Sequence, residues 1–299
     1  MAMRWFKQKV RFLLVSFFFL MFAVGAEAVV VEDELGHLVD VPKLPQRILP
    51  LAPSLAEILF ALGLDARIVG VTDFATYPKA ALKKPRVGSF MEPNLEKILS
   101  LSPDLVVAGV EQRAAKIHSA LAKFKIPLYQ IKPSNLETIY VSIRNLGELT
   151  GTQAIAREVI AGMKEKVAVV TARVAGLPPK KVFYQVGVKP IVSVSRHAFA
   201  ADLIDRAGGV LVTADNPVRY PHYPIERVIA DAPDIIIISS MEPDINYQRF
   251  LNSWKRWSSI PAVRNGRIYV IQSEIVDRAS PRIVDGLLQL AEFIHPSKP

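Results

Sequence analysis

The chain has 299 residues, of which 51% are apolar, 22% are charged and none is cysteine. Such a length supports one large core or two lobes, while the lack of cysteine excludes a disulfide-stapled scaffold, a thiolate zinc site, an iron–sulfur centre, a cysteine nucleophile and a lipidated N-terminal cysteine. The formal charge of +9 points at first towards a polyanion or a membrane surface.

The first 28 residues change that reading. Met1–Arg11 carries Arg4, Lys7, Lys9 and Arg11 and no acid; Phe12–Val24 is apolar apart from Ser16; Gly25-Ala26-Glu27-Ala28 follows. A basic start, a short apolar run and a small-residue end form a secretory signal peptide. The run is shorter than the ~20 residues that cross a bilayer. Residues 1–28 are therefore expected to be removed on export, leaving a periplasmic protein that carries no lipid anchor. Without them 33 Lys and Arg face 27 Asp and Glu, a charge of +6. The excess is scattered, with no run suited to nucleic acid.

Residues Val29–Val41 alternate around Gly36 and read as a hairpin. Arg47–Leu51 is a short strand, and Pro53-Ser54 opens a helix, Leu55–Leu62, closed by Gly63. Arg67–Val71 reads as a further strand, followed by a loop holding Phe74, Tyr77 and Pro78, and another at Val87–Met91. A helix spans Asn94–Leu101, and Leu105–Ala108 is a strand without alternation, hence buried on both faces. Ala114–Phe124 is helical, Leu128–Ile131 a strand, and Asn135–Leu149 a helix ended by Gly151. Thr152–Ala175 has no proline, and Ala156, Val159, Ile160, Met163, Val167, Val170 and Val174 recur at helical spacing. That is one long connecting helix. Strands at Val182–Val188, Ile191–Val194, Ile235–Ser239 and Ile268–Ile271 then alternate with helices at Ala200–Ala207, Ile225–Asp231, Tyr247–Trp257 and Ile283–Ile294. The layout is α/β: parallel sheets in two lobes, 29–151 and 178–299, joined by a rigid helix at 152–177.

The two lobes carry an internal repeat at an offset of 130 residues. Pro93–Val107 aligns with Tyr223–Ile237, with Glu96/Glu226, Pro103/Pro233 and Asp104/Asp234 identical. Leu95, Ile98 and Leu99 share one helical face, as do Ile225, Val228 and Ile229. Glu96 and Glu226 fall outside that stripe, in the first helical turn. There a carboxylate gains ~0.3–1 kcal/mol from the helix dipole, or serves as one of two equivalent acidic knobs for a two-fold partner. A weaker echo sets strand Arg47–Leu51 against Ile191–Val194.

Several of these residues, taken in order, resemble a known family. Asp33-x-x-Gly36-x-x-Val39, Pro45-x-Arg47-Ile48, Ala52-Pro53-Ser54-Leu55-x-Glu57, Tyr77-Pro78, Asn94-Leu95-Glu96-Lys97-Ile98, Leu101-x-Pro103-Asp104 and Arg278-Ala279-Ser280-Pro281-Arg282 look like the helical-backbone substrate-binding proteins of ABC importers. That family serves vitamin B12, ferric siderophores and haem. The resemblance implies two Rossmann-like lobes, a ligand in the cleft between them, and docking of Glu96 and Glu226 onto arginines of the two permease subunits. Within the family the chain looks most like the cobalamin binders. On that likeness a corrinoid is cradled by Pro53, Ser54, Phe74, Tyr77, Phe90, Tyr220, Glu274 and Arg278. Phe90 and Tyr220 stand where the cobalamin pocket carries tryptophan, and Phe74 where it carries tyrosine. Haem would use Tyr77, His222 or Tyr223 as an axial ligand; a ferric siderophore would use Arg113, Arg196 or Arg219.

No nucleotide loop, hydrolase elbow or zinc-protease motif occurs, and the five histidines form no i, i+4 pair. The expectation is a monomeric carrier without catalytic residues, resident metal or cofactor.

Overall fold

The computed structural model describes residues 28–110, 115–240 and 247–297. Residues 1–27 of the leader and Arg113 lie outside the described residues. No helix among the described residues is long and apolar enough to cross a membrane.

The chain opens with the antiparallel hairpin β1 (Ala28–Glu32) and β2 (Leu38–Pro42), turned at Gly36 with φ +86°. Glu34 at its tip accepts hydrogen bonds from Lys132 N, Ser142 Oγ and Asn145 Nδ2, tying the hairpin to the first lobe. That lobe has a parallel sheet of β3 (Ile48–Pro50), β4 (Leu105–Gly109) and β5 (Leu128–Ile131). Helices α1 (Pro53–Ala61), α2 (Leu95–Ser100), α3 (Ala115–Lys123) and α4 (Leu136–Thr150) surround it. Residues 67–71 form no continuous strand: a 3₁₀ turn at Asp65–Arg67 leads into single bridges, Ile48 with Ile68 and Val71 with Arg86. The apolar run is spent on buried loop packing instead of a ladder.

Helix α5 (Gln153–Val174) is the expected connector, about 33 Å long at 1.5 Å per residue. Its fully buried residues are Ala156, Met163 and Val170. Val159, Ile160, Val167 and Val174 pack half-buried beside them on the same core. This apolar stripe lies on α4 of one lobe and on α10 (Ile283–Ile294) of the other. Ion pairs Lys166–Asp285 (2.5 Å) and Arg173–Glu292 (2.6 Å) lock it to α10. One apolar cluster runs from Ile48 and Leu55 through Met163 to Val182 and Leu287, so both lobes share a core.

The second lobe holds β6 (Lys180–Val188), β7 (Ile191–Ser193), β8 (Gly209–Leu211), β9 (Ile235–Ser240) and β10 (Ile268–Gln272). The order is β10-β9-β6, with β8 parallel and β7 antiparallel on the far side of β6. Helices α6 (Phe199–Arg206), α7 (Ile225–Asp231), α8 (Tyr247–Trp254) and α9 (Pro261–Arg264) complete it. The sheet is thus mixed, not purely parallel: only two residues separate β6 from β7, enough for a hairpin but not for a crossover.

That topology revises the weaker echo. β3 pairs with β4 as β6 pairs with β9, with Ile48 opposite Leu105 and Val182 opposite Ile235. The counterpart of Arg47–Leu51 is therefore the start of β6, not Ile191–Val194. The main repeat deepens. Ser102 and Ala232, also 130 apart, both adopt left-handed backbone, with φ of 44° and 48°. Asp104 accepts from Gln46 N and Arg47 N, and Asp234 from Lys181 N. Each Pro-Asp turn clasps the start of the neighbouring strand, which gives the shared aspartate a structural reason.

Candidate functional site: the cluster around Glu57

Helix α1 begins where β3 ends, at the carboxyl edge where open α/β sheets take ligands. Pro53 occupies its first turn, where a missing N–H costs nothing. Ala52 supplies no side-chain cap. Pro53 and Ser54 are half-buried at this end. One turn on, Glu57 points into the second lobe, with its side chain 2% exposed. Its Oε1 accepts from Arg282 Nη2 (2.9 Å) and Arg278 Nη1 (3.4 Å). Its Oε2 accepts from Arg282 Nε (2.9 Å) and Ser280 Oγ (2.7 Å). The fork-to-fork pair with Arg282 is the strong, geometrically specific kind. Glu57 also holds the Arg282 guanidinium above its usual pKa, chiefly through these hydrogen bonds.

Arg282 in turn lies over the Tyr77 ring, 3.9 Å from its centroid. Arg278 reaches Glu274 at 3.9 Å. The Glu57 cluster therefore joins the start of α1, Tyr77, Glu274 and Arg278. Phe74, Phe90 and Tyr220 are not among its partners. Phe74 (54% exposed) and Tyr77 (47%) sit on a bend fixed by Arg86, whose Nη1 donates to Thr72 O and Ala75 O. Asp73 N donates to Gly88 O, setting the Phe90 loop beside that bend. Phe90 is half-buried against the core, whereas Tyr220 is 49% exposed in the second lobe with Arg219 over its ring at 5.5 Å. Aromatic side chains that keep about half their surface exposed, as Phe74, Tyr77 and Tyr220 do, suit edge or one-sided contact with a large flat ligand.

Glu274 lies in a 3₁₀ turn, Ser273–Ile275, immediately after β10. The turn can rest on α10 only because residue 286 is glycine: a Cβ there would stand 2.1 Å from Ile275 O. Next in the chain, Asp277 accepts from Ser239 Oγ (2.8 Å) and Tyr184 OH (3.3 Å). Burial pushes its carboxyl up to about 6.

Two cavities lie elsewhere. One, of about 340 Å³, is lined by Ile191, His222, Tyr223, Trp254 and Trp257 among others. Tyr223 is buried, and its hydroxyl donates to Asp231 at 2.5 Å, so it is already committed and does not suit axial ligation of haem. The other, of about 490 Å³, lies between the N-terminal hairpin and α3. Arg196 pairs with Asp215. Among the described residues no group of three or more His, Asp or Glu is placed to hold a metal.

Glu96 and Glu226 are exposed, each on the first turn of a repeat helix, and the burial pattern around them matches residue by residue. No ion pair holds either carboxylate among the described residues.

The roles of Glu57, Ser280, Arg282 and Asp277 have no local signal. Glu57 and Arg282 stood within the motifs but more than two hundred residues apart, and nothing short of the fold pairs them.

The profile described as periplasmic binding protein matches residues 48–275. A vitamin B12-binding protein of Vibrio parahaemolyticus is 27% identical over 256 residues, spanning 85% of this chain and 90% of the relative. The crystal structure of the periplasmic vitamin B12 binding protein of Vibrio cholerae superposes with a TM-score of 0.74 at 26% identity, over 84% of this chain and 96% of that one. A periplasmic heme binding protein from Pseudomonas aeruginosa shares the fold, with a TM-score of 0.76 at 22% identity over 86% and 95% of the two chains. Two lobes on one long helix, with a family match over most of the sequence, lead to one conclusion: the chain belongs to the periplasmic binding protein family, whose members carry a substrate and catalyse no reaction.

Proposed function

We propose that this protein captures a corrinoid of the vitamin B12 class in the groove between its lobes and delivers it to an ABC permease. The observation that carries the ligand class is the likeness to vitamin B12-binding relatives along nearly the whole chain. The partial exposure of the Phe74, Tyr77 and Tyr220 side chains supports it, because a wide planar ligand needs flat apolar contact. Pro53 and Ser54 at the start of α1, Phe90, Glu274 and Arg278 supply the remaining walls and polar anchors. Residues 1–28 act as a cleaved export signal, 29–151 and 178–299 as the lobes, and the mature protein works as a periplasmic monomer.

The test is calorimetry of the purified mature chain with cyanocobalamin, hemin and a ferric siderophore. Binding of cyanocobalamin with a Kd at or below about 1 μM is expected. No heat with cyanocobalamin together with a Soret band on adding hemin overturns the corrinoid assignment.

Glu96 and Glu226 dock onto basic residues of the two permease subunits. Their equivalent places in the repeat and their exposure support this role. Reversing both, Glu96→Arg with Glu226→Arg, is expected to leave ligand affinity intact and abolish uptake in cells that depend on this carrier. Persistent uptake overturns the docking role.

A further inference from the structure

We infer that Glu57 is the positioning residue of the ligand groove, clamping the 274–282 segment of one lobe and the Tyr77 ring of the other to helix α1. The inference rests on the groove assignment above for its functional meaning, while its geometry stands independently.

Four donors from three residues of the opposite lobe converge on this one carboxylate: Arg282 Nε and Nη2, Arg278 Nη1 and Ser280 Oγ. Both carboxylate oxygens are occupied and shielded from water. A buried carboxylate so saturated is rigid, because any movement of the 278–282 segment leaves charge and lone pairs unpaired. The clamp extends in two directions. Through Arg282 it reaches the exposed Tyr77 ring at 3.9 Å. Through Arg278 it reaches Glu274 at 3.9 Å. Glu57 itself, 4% exposed, is too enclosed to meet a ligand. It acts through its neighbours: one buried acid fixes the spacing of an aromatic face, a guanidinium and the start of α1.

Elsewhere the lobes are held by the shared core and by α6, where Asp202 accepts from Leu136 N of α4 and Arg206 pairs with Glu137 of α4 at 3.4 Å. These ties lie along the helical backbone. Glu57 is the charged tie next to the groove residues, so its loss is expected to loosen the groove without separating the lobes.

The chain has no native cysteine, so labelling is clean. Spin labels at Lys123→Cys on α3 and Lys255→Cys beyond α8, both exposed, report the spacing of the lobes. Cyanocobalamin affinity and this distance distribution are measured for wild type, Glu57→Gln, Arg282→Gln and the double variant, well below their melting temperatures. Glu57→Gln is expected to broaden the distribution without ligand and to weaken cyanocobalamin binding at least about tenfold. If Glu57 works through Arg282, the two losses are non-additive, and the double variant binds no worse than the poorer single one. Should Glu57→Gln not fold, Arg282→Lys, which keeps the charge but loses the fork, is expected to act in the same direction.

Wild-type affinity in Glu57→Gln, or additive losses, overturns the inference. Failure of wild type to bind cyanocobalamin overturns the corrinoid reading instead. The distance distribution without ligand then decides the clamp alone: an unchanged width in Glu57→Gln refutes it.

Discussion

Two glycines in helices should respond to alanine with opposite signs. In an open helix, alanine is favoured over glycine by about 0.5–1 kcal/mol. Gly162 on α5 has nothing within 4 Å of where a Cβ would stand, so Gly162→Ala should realise that gain. Gly286 on α10 faces Ile275 O at 2.1 Å, Val276 Cγ1 at 2.7 Å and Ile275 C at 2.9 Å from the same point. To restore ordinary contact the Ile275 backbone must retreat by roughly 1.3 Å, and overpacking of this kind costs about 1–3 kcal/mol. Set against the propensity gain, Gly286→Ala should lose about 1–2 kcal/mol of stability. Glu274 immediately precedes the displaced carbonyl, so cyanocobalamin affinity should fall too. Urea unfolding of both variants beside wild type gives the energies, and calorimetry gives the affinity. A stabilised Gly286→Ala with unchanged affinity would refute the claim that the 273–277 turn is seated against α10.

The repeated aspartates give a second test. Asp104 accepts two backbone N–H bonds at 2.8 Å, whereas Asp234 accepts one at 2.9 Å. At about 1 kcal/mol per exposed bond, Asp104→Ala should cost about 2 kcal/mol and Asp234→Ala about 1 kcal/mol. Equal costs in urea unfolding would contradict this difference. Asp277 predicts a pH dependence. Its folded carboxyl titrates near 6 against an ordinary 3.8, so the native state holds an extra proton between those values. Stability contributed here is full below the lower value, falls as pH rises through the window and stays lower above it. The loss is about 3 kcal/mol at pH 7, so Asp277→Asn should be more stable than wild type there and no more stable at pH 4. A difference that is constant with pH would show that Asp277 does not titrate in this way.

Much of the scaffold was legible in the sequence because it is locally encoded. The heptad-like burial of Ala156, Met163 and Val170 announces α5, and Asn135 with Gly151 brackets α4. The repeat was legible because each copy is a contiguous helix–turn–strand unit that must bury the same face. Less legible were 67–71, where an apolar run serves loop packing, and β7, whose direction depends on the two-residue link to β6.

The candidate site divides along the same line. The sequence by itself placed Phe74, Tyr77, Phe90 and Tyr220 in loops at strand ends, and Glu96 with Glu226 in matching helical turns, because composition and periodicity act over a few residues. Only the tertiary structure decided that Glu57 faces Ser280 and Arg282, that Asp104 and Asp234 clasp neighbouring strands, and that Gly286 must stay bare. Those relations join residues tens to hundreds of positions apart. Their energies come from desolvation, saturated hydrogen bonding and close contact, none of which exists until packing brings the partners together.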